Sequence, residues 1–91
     1  MANANFVERR IAQRFKLARP VQLKDGTGMT RDISTVGIFF ETKTAHSVGD
    51  VIDLSVNFAD SSVECAGRVV RVENLDGKFG IAVEVTSYSF H

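Results

Sequence analysis

The sequence predicts an all-β domain, a six-stranded antiparallel β-barrel preceded by a basic N-terminal arm, and three observations carry that expectation. From Pro20 onward, short segments alternate apolar and polar residues; turn-forming glycines separate them; and no long stretch shows the 3.6-residue period of a helix. Closing such strands into a barrel hides edges that a small open sheet would expose. The chain has 91 residues, 44% of them hydrophobic and 24% charged, the make-up of one small globular domain. At that length folding removes only about 60 to 65% of the chain's surface from water, so stability must come from a single compact core.

Residues 1–18 form the arm. They lack alternation and contain several helix formers and paired arginines, which allows one helical turn around Glu8 to Phe15. Few apolar anchors precede Pro20, so the arm is expected to be mobile until something binds it. The barrel is assigned to residues 19–86. Val21 and Leu23 begin its first strand, Asp25-Gly26-Thr27-Gly28 supplies turn chemistry, and Met29 to Ile33 forms the second strand. Gly37 and the third strand, Ile38-Phe39-Phe40, follow, then a polar loop from Glu41 to Asp50. Phe39 and Phe40 cannot both point inward from one flat strand, so one must cover a loop or face a partner. In the fourth strand, Val51 to Phe58, the residues Ile52, Leu54, Val56 and Phe58 share a face. The fifth, Ser62 to Glu73, changes phase where Val69 meets Val70, after Gly67, which predicts a bend or a bulge. Asp76-Gly77 marks a hairpin into the sixth strand, in which Phe79, Ile81, Val83 and Val85 alternate with smaller or polar residues. Residues 87–91 are left as a short tail.

The net charge of zero conceals two opposed parts. Residues 1–31 hold Arg9, Arg10, Arg14, Lys16, Arg19, Lys24 and Arg31 against Glu8 and Asp25, a net +5, and the remaining residues carry the balancing −5. An N-terminal region of this sign suits nucleic acid, a membrane surface or a phosphorylated small molecule. Apolar runs fall far short of the roughly 20 residues that span a bilayer, and Met1 to Arg10 lacks the apolar stretch of a secretion signal. The lone Cys65 fits a reducing compartment, so a cytoplasmic location is expected.

Two motifs carry candidate chemistry. Arg10 and Arg14 form R-x-x-x-R; on a helical turn their side chains would share a face about 6 Å apart, in an extended arm they would be further apart, and either arrangement could clamp a phosphodiester. A guanidinium can pair bidentately with phosphate or with the O6 and N7 edge of guanine, although two arginines at this spacing also describe a solvated basic face. Asp32-Ile33-Ser34-Thr35-Val36-Gly37 forms D-x-S-x-x-G at the end of the second strand. There a carboxylate could accept from guanine N1 and N2, a hydroxyl could bond a base or phosphate, and a glycine permits positive φ or close approach of a ligand. A Ser/Thr or Asx turn closing a strand explains the same residues structurally. Cys65 shares the phase of Val63 and reads as a buried filler. His46 and His91 have no metal-ligand spacing. Ser34 has no histidine near it in sequence to activate it, and Gly26-x-Gly28 lacks the rest of a phosphate loop.

The order and interval of the motifs, R-x-x-x-R on an N-terminal arm and D-x-S-x-x-G about twenty residues later on a barrel strand, resemble the PilZ domain family, bacterial receptors for cyclic di-GMP. The resemblance runs from about Glu8 to Val85 and takes in Pro20-Val21, Gly67-Arg68-Val69-Val70-Arg71 and Phe79-Gly80-Ile81. It implies that Arg10 and Arg14 hold guanine and phosphate while Asp32, Ser34 and Gly37 form the facing surface. Arg9, just before the motif, resembles the arginine of members that take up two stacked ligands, and Arg31 is a further candidate cation. Many members continue into a C-terminal helix, for which Thr86 to His91 leave room for about one turn.

The resemblance thus implies a stand-alone receptor, not an enzyme. It would need no cofactor besides its cyclic di-GMP ligand, possess no metal site, and signal through an ordered arm to a downstream protein partner in motility, exopolysaccharide, biofilm or virulence control. Two other classes compete with it. One is a PilZ-like interaction module indifferent to the nucleotide, which would usually lack both motifs. The other is a single-stranded nucleic-acid binder, which would need exposed aromatic platforms and a basic groove; here most phenylalanines follow the core phase and the barrel segment is acidic.

Overall fold

The computed structural model describes residues 14–90, in which every regular element is a strand. They are β1 (Phe15–Lys16), β2 (Pro20–Leu23), β3 (Gly26–Ile33), β4 (Gly37–Thr42), β5 (Val51–Asn57), β6 (Ser62–Leu75) and β7 (Lys78–Phe90). All pairings are antiparallel. The order β3-β2-β5-β6-β7-β4 returns from β4 to β3 and so closes the expected six-stranded barrel, with β1 added on the β3 edge beyond the end of β2.

Alternation builds the core. Val21 and Leu23 of β2, Ile38 and Phe40 of β4, Leu54 and Val56 of β5, Cys65 and Val69 of β6, and Ile81 and Val83 of β7 are all buried. Phe40 has no exposed surface, whereas Phe39, its neighbour in sequence, lies on the outer face of the barrel. Cys65 belongs to the core as its phase predicts, and burial pushes its thiol pKa up.

The phase change in β6 is a bulge. Val69 pairs with Val83 and Arg71 with Ala82, so Val70 is the extra residue; Val69 is buried and Val70 is exposed. At the same corner β6 and β7 crowd together, and a Cβ on Gly67 would stand 2.4 Å from the Glu84 carbonyl oxygen. Only glycine fits there.

The structure corrects four expectations. The first hairpin turns at Lys24 and Asp25, since Leu23 already pairs with Gly26. Gly28 sits inside β3, where a Cβ would meet the Glu41 carbonyl oxygen at 2.6 Å, so that glycine serves strand packing and not the turn. Phe15, the expected end of a helical turn, lies in strand β1; the rest of that turn falls outside the described residues. The root of the arm is fastened: Leu17 N donates to Arg31 O at 3.1 Å, Thr30 N to Arg19 O at 2.9 Å, and Arg19 N to the Thr30 hydroxyl at 2.8 Å. Finally, residues 87–90 belong to β7, with Tyr88 opposite Cys65 and Phe90 opposite Val63, because small polar and aromatic residues keep alternating past Thr86.

Candidate ligand-binding site

The candidate site is assembled by β3 and two of the strands that pair with it, β1 and β4. On one side β1 pairs Phe15 with Ile33 and Lys16 with Asp32. Extending that register by one residue sets Arg14 abreast of Ser34. The second arginine of R-x-x-x-R is therefore delivered to the D-x-S-x-x-G segment by backbone pairing. Arg9 and Arg10 lie outside the described residues.

On the other side β4 pairs with β3 across a bulge. Thr30 faces Phe40 and Asp32 faces Phe39, leaving Arg31 as the inserted residue. Thr30 points inward and is completely buried. The bulge then turns both Arg31 and Asp32 outward before Ile33 returns to the interior opposite Ile38. A flat strand would have sent Asp32 into the core, so the bulge is what presents its carboxylate, half-buried, on the outer surface beside Lys16.

Ser34 makes the turn that its residue type predicts. Its Oγ accepts from Val36 N at 3.2 Å and Gly37 N at 3.1 Å and lies 3.2 Å from Gly37 O as a donor. These bonds shape the loop that connects β3 to β4 alongside Arg14. Gly37 does not have positive φ; a Cβ there would come within 3.2 Å of the Val83 carbonyl oxygen. The close approach at Gly37 is thus made by β7, and it is tight without being prohibitive.

Arg31 is ion-paired with Glu41, which also holds Lys78. The hydrogen bonds from Lys78 first and Arg31 second hold the Glu41 carboxyl below the usual carboxylate range. Arg19, counted in the basic region, is committed elsewhere: its Nε donates to Asn57 O at 3.2 Å, and its guanidinium lies 5.1 Å from the Phe58 ring centroid.

Below the Ser34 loop the barrel mouth opens into a cavity of about 450 Å³ lined by Phe15, Ile33, Val56, Phe58, Val63 and Phe90 among others. Its apolar wall suits neither phosphate nor a guanine edge, whereas the outer face of β1, β3 and β4 carries Lys16, Arg31 and Asp32. Sequence reasoning missed Lys16 as a neighbour of Asp32, because the residue entered only the charge count and no pattern marked β1. It missed the β3 bulge because Thr-Arg-Asp-Ile carries no glycine or phase break among apolar residues to reveal one.

The described residues thus form a closed barrel with a basic segment stitched beside a half-buried carboxylate. The PilZ domain family model matches residues 8–90, nearly the whole chain, and the protein belongs to that family. A comparison with curated proteins finds no match.

Proposed function

We propose that this PilZ domain is a receptor for cyclic di-GMP, gripping the dinucleotide between the arm arginines and the outer surface of β3. The observation that supports this reading most directly is the β1–β3 ladder, which brings the end of R-x-x-x-R and Lys16 alongside Asp32 and Ser34. Arg9, Arg10 and Arg14 pair with phosphate oxygens and with the O6 and N7 edge of guanine. Asp32 accepts from guanine N1 and N2. Ser34 and Gly37 hold the β3–β4 loop in the shape that faces the ligand.

Two stacked molecules bind per chain, because three arm arginines within six residues offset most of their four phosphate charges. Arg31 is the fourth cation and reaches the ligand only by leaving Glu41. Binding draws the arm ahead of Phe15 onto the barrel and presents the combined surface to a protein partner, so the output follows from the difference in ligand affinity between the two arm states. The domain acts as a binding module and not as a catalyst.

Parallel calorimetric titrations with cyclic di-GMP, GTP and a short single-stranded oligonucleotide test the reading. Saturable binding of cyclic di-GMP alone, at two per chain, is expected. Tighter binding of the oligonucleotide would replace this reading with the nucleic-acid one, and a stoichiometry of one would remove the stacked pair.

A further inference from the structure

Across the outer face of the barrel, the strand registers set one continuous row: Lys16 of β1 opposite Asp32 of β3, Asp32 opposite Phe39 of β4, Phe39 opposite Ala82 of β7, and Ala82 opposite Arg71 of β6. Neighbouring strands lie about 5 Å apart, so the ring of Phe39 is the first side chain that a ligand meets beyond the Asp32 carboxylate. Bare β7 backbone supports that ring. A Cβ on Gly80 would come within 2.7 Å of Phe39 Cζ, so the ring occupies the place where any other residue would put its side chain. Arg71 covers it from the far side, its guanidinium carbon 5.5 Å from the ring centroid. Arg71 also pairs with Glu73 at 3.0 Å, and its side chain remains 57% exposed.

We propose that Phe39 and Arg71 extend the ligand site beyond Asp32 as a stacking platform for one purine base. The proposal rests on the cyclic di-GMP reading above and adds to it the surface that bears the face of the base, whereas Asp32 reads only its edge. Aromatic rings and guanidinium planes both stack on bases. A bicyclic base laid along the row has the carboxylate at its edge and the ring with its guanidinium against its face. Ala82, between them in register, leaves the surface low enough for that approach. Cations flank the row, Lys16 and Arg31 on the near side and Arg71 on the far side, with Arg31 partnered by Glu41 and Arg71 by Glu73.

The simpler role for Phe39 is to cover Gly80, and the experiment separates the two. Calorimetric affinity for cyclic di-GMP is measured for the wild type and for Arg71→Gln, Phe39→Leu, Phe39→Tyr and Asp32→Ala, each checked for its fold by circular dichroism. Phe39→Leu keeps an apolar cover and removes the aromatic face; Phe39→Tyr keeps the face. Arg71→Gln and Phe39→Leu are expected to weaken binding about fivefold or more, the low end of one lost base stack, with Phe39→Tyr within about twofold of the wild type. The Phe39→Leu loss should persist unchanged when salt is raised, since stacking is not screened as phosphate contacts are. Wild-type affinity in Arg71→Gln and in Phe39→Leu, alongside a loss in Asp32→Ala, would overturn the platform and leave the receptor intact. If Phe39→Leu fails to fold, Arg71→Gln alone decides. Absence of binding to the wild-type protein would overturn both readings together.

Discussion

Glu41 binds two cations at once, and its protonation is therefore coupled to folding. Its pKa is lowered in the folded protein by Lys78 and Arg31, from an ordinary value of 4.5. A depressed carboxyl contributes stability that is present above its unfolded pKa and is lost as pH falls through the lower folded value. Because Arg31 and Lys78 are 59% and 44% exposed, screening keeps the contribution below about 1 kcal/mol. Thermal unfolding followed from about pH 5 to pH 3 should show a smaller loss of Tm in Glu41→Gln than in the wild type; parallel curves would show that the pairing does not stabilise the fold. Gly67 supplies a larger effect. The 2.4 Å clash awaiting a Cβ is with backbone, which cannot swing aside, so Gly67→Ala should cost about 2 to 3 kcal/mol. In a domain of this size that lowers Tm by about 10 °C or more. A shift of only a degree or two would mean that the β6–β7 corner can relax.

At the level of elements, the strands were legible wherever a buried residue recurred every second position, as in β5 and β7, and the β6 bulge was legible because two valines met out of phase. What could not be read was structure whose cause lies in another strand. Gly26 and Gly28 look like turn residues until the β4 backbone is seen to fill the space beside Gly28. β1 spans only two residues, too few to alternate, and it exists because β3 extends past the end of β2 and leaves backbone groups to pair. The segment after β1 is fixed by Thr30, whose buried hydroxyl accepts from Arg19 N and donates to Leu17 O. Thr30→Val should leave the Arg19 amide without that acceptor at a cost of about 1 to 3 kcal/mol. Hydrogen exchange should then speed up at residues 17–19 while the amides of β5 and β6 keep their protection, and cyclic di-GMP affinity should fall with the loosened arm root. Uniformly faster exchange throughout the barrel would show that Thr30 supports the core and not the arm.

For the whole molecule, the barrel holds the arm root, the bulged β3 strand and Phe39 in fixed register on one outer surface, with Lys16 opposite Asp32 and Asp32 opposite Phe39. No helix among the described residues is long and apolar enough to cross a membrane. The pairing of R-x-x-x-R with D-x-S-x-x-G was visible as spacing alone, but its geometry was not: Arg14 comes beside Ser34 because Phe15 and Lys16 add to the edge of β3. The row from Asp32 through Phe39 and Ala82 to Arg71 required the register of four strands, which no local pattern encodes. The central claim is that the two motifs form one cyclic di-GMP site, and calorimetry on Arg14→Ala and Asp32→Ala beside the wild type tests it most directly. Each variant should remain folded and bind cyclic di-GMP about 10- to 150-fold more weakly, the cost of losing a hydrogen bond to a charged group. Folded variants that bind as tightly as the wild type would contradict it.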